Sequence, residues 1–312
     1  MSEEIPVSSG VPQGSVLGPI LFIVFINDLD NAAIAMGIIR KFADDTKGGK
    51  IVMNQSDADS FQEALDSLIK WANDWNMDFN IKKCKIMHFG RRNLQFKYQM
   101  NGVELAEVEV ERDIGVCVAS NLKPSQHCRE ATGRAKAVLG QLSRCFHYRD
   151  RIVFLRLYTQ YVRPHLEFSS SVWSPWLTAD IDMLEAVQKK AIGMISGLTA
   201  GDYTGKLKEL DLWSLSKRRT MFDRIQVFKI ANNIGDINCS LVFNRDRDIN
   251  ARTRNQTDPL NLVKGRPSLE IRKNFFCERV VNTWNQIPSE IKQSENVQIF
   301  KRSLVRWMKE TI

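Results

Sequence analysis

The run from Ile20 to Ile26 is apolar on every side, which is the pattern of a helix surrounded by protein. Gly10-Val-Pro-Gln-Gly14 leads into it as a loop fixed by glycine and proline, and Gly18-Pro19 falls in the first turn, where proline is tolerated. Ile38 to Ala43 is then β-prone and stops at two carboxylates. Gly48-Gly49 offers backbone for a reversal and Ile51-Val-Met53 resumes the apolar pattern. The expectation is a hairpin with Asp44 and Asp45 at or near its tip. Beyond it Phe61, Leu65, Leu68, Trp71/Ala72 and Trp75 recur at helical spacing, with Ser56 and Asp59 placed as a capping box. The tryptophans read as core or rim packing.

Phe79 to Gly90 changes to an extended pattern in which Ile81, Ile86, Met87 and Phe89 alternate with Lys82, Lys83 and Lys85. Phe96 to Val103 and Val108 to Val118 are further expected strands. From Pro124 the pattern is helical: Ala131, Ala135, Val138, Leu142 and Phe146 mark one face, and Arg129, Arg134, Lys136 and Arg144 lie off it. A helix over Ile152 to Val162 is expected to stop at Pro164, with another over Ile181 to Ser196. Gly197 to Gly205 reads as a boundary, Leu207 to Asn232 as helix, and Ile237 to Arg266 as loop. Phe275 to Trp284 and Val297 to Lys309 are the closing helices, broken at Pro288. The fold class is therefore α+β, divided at 1–120, 121–200 and 201–312, with the strands in the first part and helices in the other two.

Composition narrows this. In 312 residues, 43% hydrophobic and 26% charged residues are ordinary for a globular chain. No apolar run approaches the ~20 residues of a membrane span, and no basic start followed by an apolar core marks a secretory signal. The expectation is an intracellular protein with no membrane partner. Lys217-Arg218-Arg219 is too short for an import signal, so nucleus and cytoplasm both stay open. The 6 cysteines are scattered singly with no CxxC pair and read as reduced thiols; Cys145 with His147, and His127 beside Cys128, have spacings unlike the usual zinc knuckles. Net charge is +8, unevenly placed: residues 1–81 carry 5 Lys/Arg against 12 Asp/Glu, and residues 82–312 carry 39 against 24. An acidic head followed by a basic body suits a protein that gathers divalent cations first and lies along a phosphate backbone afterwards.

Three strings in order, GVPQGSVLGPILF, FADDT and WANDWNMDFNIKKCKIMHFG, together resemble the second half of the polymerase core of reverse transcriptases from LINE-type, jockey-like non-LTR retrotransposons. YVRPHLEF followed by VWSPW resembles the segment that follows that core. The resemblance implies a partial palm, an antiparallel sheet with packed helices, over 1–120, a thumb-like helical region over 121–200 and a C-terminal helical region over 201–312. It implies an RNA-directed DNA polymerase working by two-metal nucleotidyl transfer, with Asp44 and Asp45 as metal ligands for Mg²⁺, or Mn²⁺ in its place. Lys83, three after Asn80, takes the position of a lysine that approaches the departing pyrophosphate. Gln13 and Gly14 take nucleotide- and template-binding positions. Ile114 and Gly115, within Arg112-Asp-Ile-Gly-Val116, correspond to the turn that grips the primer. Arg129, Arg134, Lys136 and Arg144 would lie on nucleic-acid backbone. The implied partners are an RNA template, a DNA primer and deoxynucleotide triphosphates.

A third metal-binding aspartate in the family comes from a strand upstream of the GVPQG loop, and only 9 residues precede Gly10. The expectation is a truncated polymerase without that strand or the fingers, inactive as an isolated chain, with uncovered apolar surface where they would pack. The alternative is a non-enzymatic remnant that binds nucleic acid through the basic helical body.

Overall fold

The computed structural model describes residues 14–235, 237–245 and 258–311. The chain divides into two compact units, 1–110 and 111–312. By net charge the first is acidic, with 11 Lys/Arg against 15 Asp/Glu, and the second basic, with 33 against 21. Both mix helices with short strands, as the α+β class requires. The strands pair two by two rather than in one broad sheet.

In the first unit, α1 (Gly18–Phe25) and α2 (Leu29–Ala32) precede the hairpin of β1 (Ile38–Phe42) and β2 (Asp45–Gly49). The core forms where α3 (Gln55–Asp74) lays Phe61, Leu65, Leu68 and Trp71 against Ile26, Leu29 and Met36. The cap of α3 sits earlier than the pattern suggested. Asn54, not Ser56, accepts from the backbone N–H of Asp57, and Asp57 accepts in return from the N–H of Met53 at 2.8 Å. The reciprocal logic of a capping box is intact two residues upstream. Trp71 is buried and Trp75 half-exposed, and both meet Phe25 edge-on, as packing residues should. Two further short pairings lie in this unit: β3 (Lys85–Ile86) runs parallel to β6 (Ala106–Glu107), and β4 (Gln99–Met100) is antiparallel to β5 (Val103–Glu104).

The expectation that Ile20 to Ile26 is buried all round fails. Ile20, Leu21, Ile23 and Val24 are each more than half exposed, and only the Ile26 end enters the core. Apolarity states what a helix prefers, not what is there to cover it. Ile38, Phe42, Ile51 and Met53 are also exposed, which adds to the apolar surface this unit presents.

The second unit opens with the hairpin of β7 (Val110–Asp113) and β8 (Val116–Ala119). Beneath it runs α4 (Ser125–Cys145), whose Cys128, Ala131, Ala135 and Leu139 are buried. One core gathers this face with Val116, Phe154, Tyr158, Val162, Leu166, Leu184, Val187 and Leu215. The elements that supply it are α5 (Arg151–Leu157), α6 (Arg163–Glu167), α7 (Ser170–Trp173), α8 (Thr178–Gly193), α9 (Tyr203–Glu209) and the start of α10 (Leu215–Ala231).

Pro164 does not end the helix before it. A π-helical turn at Tyr158–Val162 widens the backbone, and Pro164 then takes a place in the first turn of α6. A second core joins Val227 and Phe228 of α10 to Val280, Val281 and Trp284 of the helix Phe276–Asn285 and to Phe300, Leu304 and Met308 of the helix Val297–Thr311. Of the expected loop Ile237 to Arg266, residues 246–257 lie outside the described residues. The described flanks pair as β9 (Asn244–Arg245) with β10 (Leu262–Val263).

Candidate functional site

The β1–β2 hairpin closes more tightly than the sequence suggested. Phe42 pairs with Asp45, leaving Ala43 and Asp44 as the two-residue turn. Ala43 has φ +52°, a left-handed conformation that costs an L-residue roughly 1–2 kcal/mol. The reversal is therefore not at Gly48-Gly49, which lie in β2 opposite Ile39 and Ile38. Gly48 matters for packing instead. A Cβ there would meet Sδ of the buried Met36 at 2.2 Å, so a side chain at position 48 would force Met36 to shift.

Asp44 at the turn and Asp45 at the first position of β2 are both exposed. Neither carboxylate has a hydrogen-bond or ion-pair partner among the described residues. Lys41 anchors the hairpin. Its ammonium donates to the carbonyls of Ile26 at 2.7 Å and Asn27 at 3.1 Å, and pairs with Asp30 at 3.1 Å. Asp28 accepts from the indole N–H of Trp71 at 3.0 Å. Asp28 and Asp30 are thus engaged in holding helix to hairpin.

As a donor set, the adjacent carboxylates fit a hard divalent cation whose remaining positions are filled by phosphate oxygens and water, the usual manner of Mg²⁺. Among the described residues no cluster of three or more His, Cys, Asp or Glu side chains is placed to hold a metal. All 6 cysteines are free thiols.

Gln13 lies outside the described residues. Gly14 is exposed with φ +82°, so glycine is favoured there by backbone conformation, not by lack of space. Lys83 ends a short 3₁₀ turn, Ile81–Lys83, on the surface of the first unit; no hydrogen bond or ion pair joins it to either aspartate. Ile114 and Gly115 form the turn between β7 and β8, with φ +42° and +82°. On α4, Arg129, Lys136 and Arg144 are exposed and Arg134 is half-buried, all off the buried face. Arg129 donates to Gln126, and Arg134 lies 3.7 Å from Glu130.

Sequence reasoning passed over the group that fastens the β7–β8 hairpin to α4. Glu130 accepts from Arg112 of β7 and from the Cys117 thiol of β8, the latter at 2.9 Å. These bonds hold its carboxyl below the ordinary range, the Cys117 bond most of all. His127 accepts the backbone N–H of Cys117 at Nδ1, 3.1 Å away, and its ring lies against Trp173 with centroids 4.5 Å apart. Burial, reinforced by Arg134, pushes the His127 imidazole down to about 4. No local pattern announces this group, because its members lie 10 to 18 positions apart.

Comparison with known proteins bears on the same segment. The reverse transcriptase (RNA-dependent DNA polymerase) family matches residues 1–123. The chain is 26% identical over 206 residues to the RNA-directed DNA polymerase from mobile element jockey of Drosophila melanogaster, covering 62% of this chain and 22% of that protein. It is 25% identical over 205 residues to the probable RNA-directed DNA polymerase from transposon X-element of the same species, covering 63% and 23%. Its identity to the probable RNA-directed DNA polymerase from transposon BS, again of Drosophila melanogaster, is 27% over 202 residues, covering 60% and 22%. The matched stretch thus spans less than a quarter of the length of these curated relatives. No solved structure matches. No helix among the described residues is long and apolar enough to cross a membrane. Residues 1–123, which contain the Asp44–Asp45 hairpin, match the reverse transcriptase family, and the chain is similar to the RNA-directed DNA polymerases of jockey and related mobile elements.

Proposed function

We propose that this chain is the palm-and-thumb part of an RNA-directed DNA polymerase of a non-LTR retrotransposon, extending a DNA primer on an RNA template with deoxynucleotide triphosphates. The observation that carries this reading is the Asp44–Asp45 turn: two exposed carboxylates, without a partner among the described residues, on a tight and strained reversal inside the segment that matches the family. The strain lies in the backbone of Ala43, beside the acids, and left-handed residues of this kind cluster at functional sites. Asp44 and Asp45 would hold Mg²⁺, or Mn²⁺ in its place. Bound there, the cation supplies an acidified primer 3′-hydroxyl and neutralises charge on the triphosphate.

The remaining roles fall to the chain's own side chains. Gln13 and Gly14 contact template and incoming nucleotide. Lys83 places a cation where pyrophosphate leaves, stabilising charge that develops in the transition state. Ile114 and Gly115 hold the primer end. Arg129, Arg134, Lys136 and Arg144 take backbone phosphates on the exposed side of α4, in the unit where basic residues outnumber acidic ones. The protein works inside the cell, in the nucleus or the cytoplasm.

The test pairs Mn²⁺ binding, read by electron paramagnetic resonance in the presence of primer–template and nucleotide, with primer extension on an RNA template. Asp44→Ala and Asp45→Ala are each expected to remove bound Mn²⁺ and any incorporation while leaving duplex binding in place. Unchanged Mn²⁺ binding in the double variant would overturn the reading.

A further inference from the structure

The β7–β8 hairpin ends in a turn its sequence does not suit. Two-residue hairpin turns with both φ values positive are filled by Asn, Asp or Gly. Here the first position is Ile114 at φ +42°, and a β-branched residue in that region is an outlier. The side chain is 51% exposed, so burial offsets the strain only in part. An apolar group held at an exposed, strained tip points to contact with something outside the hairpin.

Two fastenings keep that tip in place. A Cβ on Gly115 would lie 3.0 Å from Cε1 of Phe168, so the turn sits close against that ring. The second fastening is Glu130. One carboxylate takes Arg112 from β7 and the Cys117 thiol from β8, and its Oε2 lies 3.7 Å from the Arg134 guanidinium one turn further along α4. Without it, Arg112 and Arg134 would be like charges with no anion between them, and Arg112 would be free to swing away from α4.

We propose that Glu130 is a positioning residue for nucleic-acid binding. It fixes the tip of the hairpin relative to the cationic side of α4, so that Ile114 packs on the sugar and base of the primer's terminal nucleotides while the cations of α4 take phosphates of the same duplex. The proposal rests on the hairpin being the primer contact, and the experiment separates the two.

The whole chain is tested as wild type, Glu130→Ala, Glu130→Gln, Ile114→Asn and the Glu130→Ala/Ile114→Asn double variant. Binding of a fluorescently labelled DNA primer annealed to RNA is followed by anisotropy across a salt series, with thermal melting alongside. Glu130→Ala is expected to raise Kd about tenfold, the scale of one lost charge-assisted contact, with the salt slope unchanged because no phosphate-facing cation is removed. Glu130→Gln, whose single amide oxygen can still accept from Arg112 or from Cys117 but not from both at their separate positions, recovers part of the loss and serves if the alanine variant does not fold. Ile114→Asn weakens binding without lowering the melting temperature, and the double variant is no worse than the weaker single. Tighter binding by either Glu130 variant would mean that the carboxylate competes with phosphate, which overturns the proposal. Unchanged binding by the Glu130 variants beside a weakened Ile114→Asn would overturn the role of Glu130 and leave the hairpin reading standing. No effect of Ile114→Asn would remove the hairpin reading and the proposal with it.

Discussion

Mild acid should loosen the second unit through one imidazole. His127 is 1% exposed, and its Nδ1 accepts the N–H of Cys117. Only the neutral ring can do this: a proton on Nδ1 would face the amide proton of Cys117 and place a cation in an apolar pocket beside Trp173, with Arg112 and Arg134 nearby. Its pKa falls from the ordinary 6.5 to about 4 on folding. The unfolded chain therefore binds the proton more readily than the native one between those values. Stability is complete above pH 6.5 and declines as the pH drops toward 4, at up to ~1.4 kcal/mol per pH unit. Between pH 7.5 and pH 5 the loss is about 2 kcal/mol, with neighbouring Glu130 softening it. Urea unfolding at both pH values, for the wild type and for His127→Gln, isolates this contribution from that of other groups. The variant is expected to be less stable at pH 7.5 but to lose about 2 kcal/mol less than the wild type on acidification. An equal acid loss in both proteins would refute the account.

Further outcomes follow from single contacts. Asn54→Ala, which removes the N-cap of α3 but not the return bond of Asp57, should cost about 1 kcal/mol in urea unfolding; no change would mean that the bond from Asp57 suffices. Gly48→Ala should destabilise the first unit by about 1–3 kcal/mol through overpacking against Met36, and Met36→Ala in the same chain should relieve the clash, checked by a double-mutant cycle. Ile114→Asn, already required to weaken duplex binding, should raise stability by up to ~1 kcal/mol as the left-handed strain is relaxed; a clear loss in thermal melting would show that the turn is not strained. Arg224 is buried over the Trp307 ring at 5.0 Å, donates to the carbonyl of Thr283 and has no carboxylate partner among the described residues, and burial holds its guanidinium down to about 10. Arg224→Met should therefore leave stability within ~1 kcal/mol of wild type or raise it, and a loss near 3 kcal/mol by chemical denaturation would refute that.

What could be read from the sequence depended on how local its cause was. The acid-bearing hairpin was legible in its first arm, Ile38 to Phe42, but the returning arm is Asp45–Gly49 and not the apolar run Ile51-Val-Met53, because the pairing of Phe42 with Asp45 sets the register and puts the reversal at Ala43-Asp44. The glycines invited a turn and in fact answer to Met36, a contact 12 positions away. The buried faces of α3 and α4 followed from periodicity. The exposure of α1 did not, since an apolar run carries no information about what lies beside it. Pro164 misled because a proline rule assumes ordinary α geometry upstream. Glu130 and His127 were invisible as a site: each looks like an ordinary helix residue until β8 is folded back upon it.

The widened turn at Tyr158–Val162 stores one residue more than α winding needs over the same span, so this is where the segment can give up length. Shortening it by one residue would restore uniform winding and leave the residues beyond it on their present faces, with Leu166 still enclosed and Glu167 still turned toward Arg218. The same deletion within α5 or α6, where no slack is stored, would rotate everything downstream by about 100°. A one-residue deletion inside the widened turn should thus do less harm than one a few residues to either side.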